Sequence, residues 1–413
     1  MSVRDIGIIA ATGRPVIAGT FHTLVLQPTS FCNLDCSYCY LPDRRARQLM
    51  SVCVTTACAR SIEQQGSVHP VSVVWHGGEP SATAIDIFRE LLAPFEAPRR
   101  AGRVRHESQT NATLIHEQWC DLFAAYDFEI GVSIDGPGSL NRNRLDRAGN
   151  ATTARTIRGT RVLAEARLAV LSDLRRHTRN HRSRNDLAEF FTALPGCESV
   201  GFNIEEQEGA ARTPVPEEAV YRFWSRLLRH RLAGSPLRIR DLSRFADYLG
   251  VTRAGLTDRG AHEPIPAVAH NGQVVLLSPE LLGIKSPQYA DFIAGNVLRE
   301  PIGDMLAPCQ RIAIRHRVRD GAQRLCGPSR LNEPIRSGDR LAVALLTVNV
   351  HERRRCPDCP PEGFCDNETH EHGRCLNCPS EGPCGWEWWA LLELDRHPGL
   401  HRLRTDSPSD QTT

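Results

Sequence analysis

Between residues 21 and 204, short apolar runs alternate with longer stretches whose apolar residues recur every three to four positions. The runs at 21–27, 71–75, 103–109, 128–133 and 199–204 read as strands, the first broken by Pro28. Between them, residues 55–64 read as a helix. The sets Ile85, Phe88, Leu91, Leu92 and Leu114, Ile115, Trp119, Leu122, Phe123 have the spacing of amphipathic helices. This alternation predicts an α/β fold on a parallel sheet or barrel. Each strand also runs into polar and glycine residues at its C-terminal end, the end at which parallel α/β barrels build their sites.

The pattern lapses twice. Between residues 167 and 184 a strand and a helix are due. Leu168 to Leu171 offers only a short strand, and the basic run at 175–182 has no apolar face. That run reads as a solvated loop, or as a basic patch for an acidic peptide. Helical spacing returns at Leu187, Phe190, Phe191 and Leu194, and again at Val220, Phe223, Trp224, Leu227 and Leu228. Residues 232–264 read as a bridging helical segment, and 274–277 as a further strand. The second lapse begins near Ile302; residues 310–345 are Arg-rich with little periodicity, apart from Leu341 to Val350.

At 413 residues the chain exceeds one small core. The expected divisions are a lead (1–20), the main α/β domain (21–230), a bridge and linker (231–349), a cysteine-rich region (350–390) and a polar tail (391–413). A net charge of +2 implies no general attraction to nucleic acid or to a membrane surface. No apolar run approaches the ~20 residues that span a bilayer. The N-terminal Met-Ser-Val-Arg-Asp lacks a signal-peptide layout, so a cytoplasmic location with reduced thiols is expected. The 15 cysteines fall into two groups, seven from Cys32 to Cys197 and eight from Cys309 to Cys384.

Cys32, Cys36 and Cys39 form a C-x3-C-x2-C pattern after the first strand, with Tyr38 before the last thiol. Iron–sulfur clusters are held by Cys thiolates, usually four, so three thiols can hold a cubane [4Fe–4S] cluster and leave one iron open. The other readings are an incomplete zinc knuckle and chance clustering. Further on, Cys356-x2-Cys359-x5-Cys365 is repeated as Cys375-x2-Cys378-x5-Cys384, together with its Pro and Glu-Gly steps. The spacing favours a zinc ribbon, and an auxiliary iron–sulfur cluster is the alternative. Other strand-end residues with chemistry are Gly77, Gly78 and Glu79, then Asn111, then Ser133, Asp135 and, a little beyond, Arg144. Asn111 would serve equally as a helix N-cap, and Arg144 as a surface residue.

The cysteine loop, Gly77-Gly78-Glu79-Pro80, Gln109-Thr110-Asn111 and Ser133-Ile134-Asp135-Gly136-Pro137 together resemble the radical S-adenosylmethionine (SAM) peptide maturases with a C-terminal cluster domain. That branch includes the sulfatase maturases. Phe202-Asn203-Ile204-Glu205-Glu206-Gln207-Glu208-Gly209 and Leu277-Ser278-Pro279-Glu280-Leu281 are more similar to its cyclophane-forming members. The likeness covers residues 20–300. It implies a partial (β/α)6 TIM-like barrel, followed by a small cysteine-rich metal-binding region. It places a [4Fe–4S] cluster on Cys32, Cys36 and Cys39. It places SAM against Tyr38, Gly77, Gly78, Glu79, Asn111, Ser133, Asp135 and Arg144, with Glu79 or nearby carbonyls taking the ammonium, Ser133 the ribose and Arg144 a carboxylate. The implied partners are a precursor peptide and an electron donor such as flavodoxin or ferredoxin. The implied reaction removes a β-hydrogen from a peptide residue and joins that carbon to an aromatic ring. Oxidation of a Ser or Cys residue, and a non-catalytic zinc-ribbon scaffold with a relic barrel, are the alternative expectations.

Overall fold

The structure is a computed structural model. It describes residues 18–176, 185–204, 217–243, 263–276 and 278–309, with the short segments 370–371 and 374–375. The chain divides into two compact units, residues 17–214 with 262–313, and residues 1–16 with 215–261 and 314–413.

The larger unit alternates strand and helix as the apolar pattern predicts. Its elements are β1 (Thr23–Leu26), α1 (Val52–Gln65), β2 (Val71–Trp75), α2 (Ile85–Leu92), α3 (Glu96–Arg100), β3 (Val104–Thr110), α4 (Glu117–Ala125), β4 (Glu129–Ser133), α5 (Thr153–Glu165), β5 (Val170–Arg176), α6 (Asn185–Ala193) and β6 (Cys197–Ile204). After residue 262 come β7 (Ala267–Val268), β8 (Gln273–Val275), β9 (Gly295–Asn296) and α7 (Ile302–Cys309). Within this unit the strands stand in the order β9-β8-β7-β1-β2-β3-β4-β5-β6. All pairs from β7 to β6 are parallel, and β8 and β9 add antiparallel strands at one edge. This is an α/β fold on a mostly parallel sheet.

The two faces of the sheet differ. Val71, Val73 and Trp75 alternate with Ser72 and Val74 along β2, and only the first set joins the large core with α1, α2, α4 and α5. Trp75, Phe88 and Trp119 lie in ring contact there, at 4.9 and 5.2 Å between centroids. Truncating a buried ring of this kind costs about 3–5 kcal/mol. On the other face, Val25, Ala267, Val275 and Leu281 form a smaller cluster. On β3 and β4, Glu107, Gln109, Gly131 and Ser133 are half-buried and alternate with fully buried residues. One face of the sheet is thus sealed by helices, and the other carries polar groups.

The expected short strand at 168–171 is longer, and the expected loop at 175–182 is corrected at Arg175 and Arg176. β5 continues to Arg176, with Ser172 and Asp173 in register with Val132 and Ser133 of β4. On its other side, Arg175 and Arg176 are in register with Asn203 and Ile204 of β6. A strand hydrogen-bonded on both edges draws its ladder from its neighbours, so a polar sequence does not prevent it. Residues 177–184 of the basic run lie outside the described residues.

In the smaller unit, helix Glu217–Leu232 buries Phe223, Trp224, Leu227 and Leu228, as their spacing predicts. The chain is extended at 238–239, and most of the expected bridging helical segment lies outside the described residues. So do Cys356, Cys359, Cys365, Cys378 and Cys384; for Cys375 the backbone alone is described, where 374–375 pairs antiparallel with 370–371.

Candidate functional site

The loop after β1 leaves the sheet at Pro28, which has no N–H to continue a ladder. Its base is closed by Met50 N donating to Pro28 O at 2.9 Å, and by the Thr29 and Ser30 hydroxyls donating to Gln48 O and Ala46 O. The cysteine stretch is pinned from a second side. Asp35 N donates to Leu145 O at 2.8 Å, and Ser37 N to Asn143 O at 3.0 Å. The Arg147 guanidinium donates to Cys32 O at 2.8 and 2.9 Å and lies over the Phe31 ring. Leu34, Cys36 and Tyr38 are buried together, with Cys32 and Cys39 packed against them.

Cys32, Cys36 and Cys39 are free thiols. Burial pushes Cys32 well above the usual thiol range and Cys36 up to about 11. A cationic centre reverses that tendency, because a coordinating thiol is deprotonated outright. Among the described residues, no group of His, Cys, Asp and Glu converges closely enough to hold a single metal ion. Three neighbouring thiols on one pinned loop are the type of donor that holds a [4Fe–4S] cluster. Elsewhere, the free thiols Cys53, Cys58, Cys120 and Cys197 stand on α1, α4 and β6.

Gly77 and Gly78 leave β2 with φ of 93° and 67°, a region that favours glycine. A Cβ on Gly78 would stand 2.4 Å from Thr29 O and 2.6 Å from Phe31 O, so only glycine allows this approach to the cysteine loop. Glu79 N then donates to Phe31 O at 2.8 Å. The Glu79 side chain, 1 % exposed, turns inward. Its Oε1 accepts from Ser81 N at 3.0 Å, Ser81 Oγ at 2.6 Å and Thr110 Oγ1 at 2.6 Å. Its Oε2 accepts from Asn111 N at 2.8 Å. Burial raises its pKa, against the pull of these hydrogen bonds. Both carboxylate oxygens thus brace the loop after β2 against the end of β3.

At the end of β4, Gln109 Nε2 donates to Ser133 Oγ at 2.7 Å, passing over Gly131, where any Cβ would collide with it. Asp135 is buried and accepts from Arg144 Nε at 2.8 Å and from the Tyr38 hydroxyl at 2.9 Å. The ion pair is nearly sealed, at 8 % and 2 % side-chain exposure, and Arg144 lies over the Tyr38 ring. Cys32, Cys36, Cys39, Tyr38, Gly77, Gly78, Glu79, Asn111, Ser133, Asp135 and Arg144 are thus brought together at the C-terminal ends of β1 to β4. Of the six C-terminal cysteines, the structure describes only the backbone of Cys375. Three side chains that bind this site together were not singled out from the sequence: Asn33, Thr113 and Arg147. Asn33 sits between two of the cysteines, a position that signals involvement; Thr113 and Arg147 give no comparable signal.

The profile of the Radical SAM superfamily matches residues 26–175. An uncharacterized protein of Synechocystis is 30% identical over 339 residues, covering 78% of this chain and 83% of that protein. The serine-type anaerobic sulfatase-maturating enzyme of Klebsiella aerogenes is 30% identical over 155 residues, only 35% of this chain and 36% of that enzyme. The cysteine-type enzyme of Clostridium perfringens is 30% identical over 152 residues, 34% of this chain and 40% of that enzyme. Among solved structures, anSMEcpe with bound AdoMet shares the fold at TM-score 0.57 and 20% identity, over 68% of this chain and 76% of that one. Streptococcus suis SuiB bound to the precursor peptide SuiA does so at TM-score 0.52 and 17% identity, over 70% and 65%. The superfamily match spans the residues that build the cysteine loop and its braces, so over residues 26–175 the chain belongs to the radical SAM superfamily.

Proposed function

We propose that the protein modifies a peptide or protein by radical SAM chemistry, and that its reaction is a carbon–carbon (cyclophane) crosslink in a ribosomally made precursor peptide. The observation that carries the radical SAM part is the three-thiol loop, pinned by Arg147, Glu79 N and the 143–145 backbone to the ends of β2 and β4. When bound, a [4Fe–4S] cluster and SAM supply a 5′-deoxyadenosyl radical through one-electron cleavage of the sulfonium. Cys32, Cys36 and Cys39 would hold the cluster. The glycine turn at 77–78 brings backbone against that loop, where the methionine part of SAM would bind. Ser133 offers a hydroxyl toward the ribose, held by Gln109. Tyr38, Asp135 and Arg144 fix the back of the loop as one buried unit. An electron donor such as flavodoxin or ferredoxin would reduce the cluster.

The peptide substrate is supported by the maturase relatives and by the fold shared with peptide-bound structures. The crosslinking reaction is supported by the resemblance at residues 202–209 and 277–281. Oxidation of a serine or cysteine on the same site is the second reading, favoured by the serine- and cysteine-type maturases among the relatives. The C-terminal cysteines would hold zinc or an auxiliary cluster. Tandem mass spectrometry of a candidate peptide co-expressed with this protein tests the assignment. A crosslink removes hydrogen and blocks backbone fragmentation between the joined residues. An aldehyde that reacts with hydrazines supports the oxidation instead, and an unmodified peptide in every candidate context argues against both.

A further inference from the structure

Asn33 closes a ring of hydrogen bonds with Asn111 and Thr113, which follow β3. Asn111 Nδ2 donates to Asn33 Oδ1 at 2.9 Å, and Asn33 Nδ2 donates to Thr113 Oγ1 at 2.8 Å. The Thr113 hydroxyl completes the ring by donating to Asn111 Oδ1 at 2.6 Å. The ring can run in only one direction. Asn111 Oδ1 also accepts from the backbone N–H of Thr113 at 2.9 Å, and that group can only donate. The amide oxygen of Asn111 is therefore fixed on the Thr113 side, and its nitrogen must face the cysteine loop. There it lies 4.0 Å from Cys32 Sγ, which also receives the Leu34 N–H at 3.4 Å. Among the described residues, hydrogen bonds reach the sulfur of Cys32 and not those of Cys36 or Cys39.

We propose that Asn111, held in this orientation by Asn33 and Thr113, tunes the reduction potential of the cluster through the Cys32 sulfur. The inference rests on the reading above that Cys32 ligates a [4Fe–4S] cluster. Hydrogen bonds to cluster sulfurs are one of the levers by which proteins set cluster potentials. A donor stabilises the more negative, reduced state and so makes reduction easier. A closed ring of donors and acceptors polarises each of its members and strengthens that donor. Asn33 and Thr113 are positioning residues that act through Asn111.

The test is the midpoint potential of the reconstituted full-length protein, titrated without SAM and followed by electron paramagnetic resonance. Asn111→Leu shifts the potential to more negative values. Thr113→Val shifts it the same way by a smaller amount, because it keeps the backbone N–H that orients the Asn111 amide and removes only the hydroxyl that closes and polarises the ring, whereas Thr113→Ser keeps the ring and the original potential. In an Asn111→Leu background, Thr113→Val adds no further shift, because its effect runs through the missing amide. An unchanged potential in Asn111→Leu, or fully additive shifts in the double variant, overturns the proposal. Should Asn111→Leu fail to take up iron, Thr113→Val against Thr113→Ser decides, and equal potentials there overturn it. If the unaltered protein assembles no cubane, the cluster assignment fails first, and iron content shows this separately.

Discussion

Replacing Glu79 separates two roles for one carboxylate. If it serves the ammonium of SAM, its loss weakens SAM binding and leaves the fold intact. Its environment points to the opposite outcome. Both oxygens are taken by four donors from Ser81, Thr110 and Asn111, and the residue is 1 % exposed. Glu79→Ala strands two backbone N–H groups and two hydroxyls where little water can reach. An unsatisfied buried donor costs about 1–3 kcal/mol, so the two N–H groups alone cost about 2–6 kcal/mol. Relief of the carboxylate's own burial offsets part of this. Glu79→Gln keeps an acceptor toward Ser81 and Thr110 or toward Asn111 N, but not toward both, and should lose about half as much. Urea unfolding of the metal-free protein measures the loss, and equilibrium dialysis of SAM on the reconstituted protein measures affinity. The bracing role predicts a lower unfolding midpoint for Glu79→Ala, with Glu79→Gln in between. An unchanged midpoint with a large drop in SAM affinity would refute this reasoning and return Glu79 to the cofactor.

Replacing Cys32, Cys36 and Cys39 together with Ala should remove about four irons, one cubane's worth, and abolish 5′-deoxyadenosine formation; iron analysis and chromatography check both. Any remaining metal should then be lost on replacing Cys356, Cys359, Cys375 and Cys378, and a metal content independent of both sets would contradict the two assignments. Arg144→Ala leaves Asp135 buried without its cation and should destabilise by about 3–5 kcal/mol, against about 0.5–1.5 kcal/mol for Tyr38→Phe; equal unfolding midpoints would show that the ion pair does not hold the loop. Burial, aided by Arg99, holds His106 down at about 3, and Trp75 Nε1 donates to its Nδ1 at 3.2 Å, so protonation there removes the acceptor. With the folded pKa below the unfolded one, the unfolded chain binds more protons across that window, and stability falls as pH drops. Between about pH 7 and about pH 5 the loss is about 2 kcal/mol. His106→Gln, which keeps an acceptor for Trp75, should lose that much less on acidification; parallel urea curves at both pH values decide.

Much of the site was legible in the linear pattern. Apolar residues with period two and helical spacing placed β1 to β4 and most of their helices, because each element must bury one face. The cysteine spacing, the Gly77-Gly78 turn and the polar residues after β3 and β4 marked the end that carries the candidate site, because parallel sheets gather their strand ends there. β5 was not legible past Leu171. Its polar residues carry no periodic signal, and its ladder comes from β4 and β6, which lie far off in sequence.

Tertiary structure also decided which protein groups each marked residue meets. The resemblance placed Glu79, Asp135 and Arg144 beside a cofactor; the fold gives them protein partners as well, engaging Glu79 with Ser81, Thr110 and Asn111 and pairing Asp135 with Arg144 and Tyr38. It added Asn33, Thr113 and Arg147, whose partners lie 80, 80 and 115 positions away along the chain. A residue's type states which bonds it can make, and spacing states which face it occupies. Which partner satisfies a buried polar group depends on chain segments that only folding brings within hydrogen-bond distance.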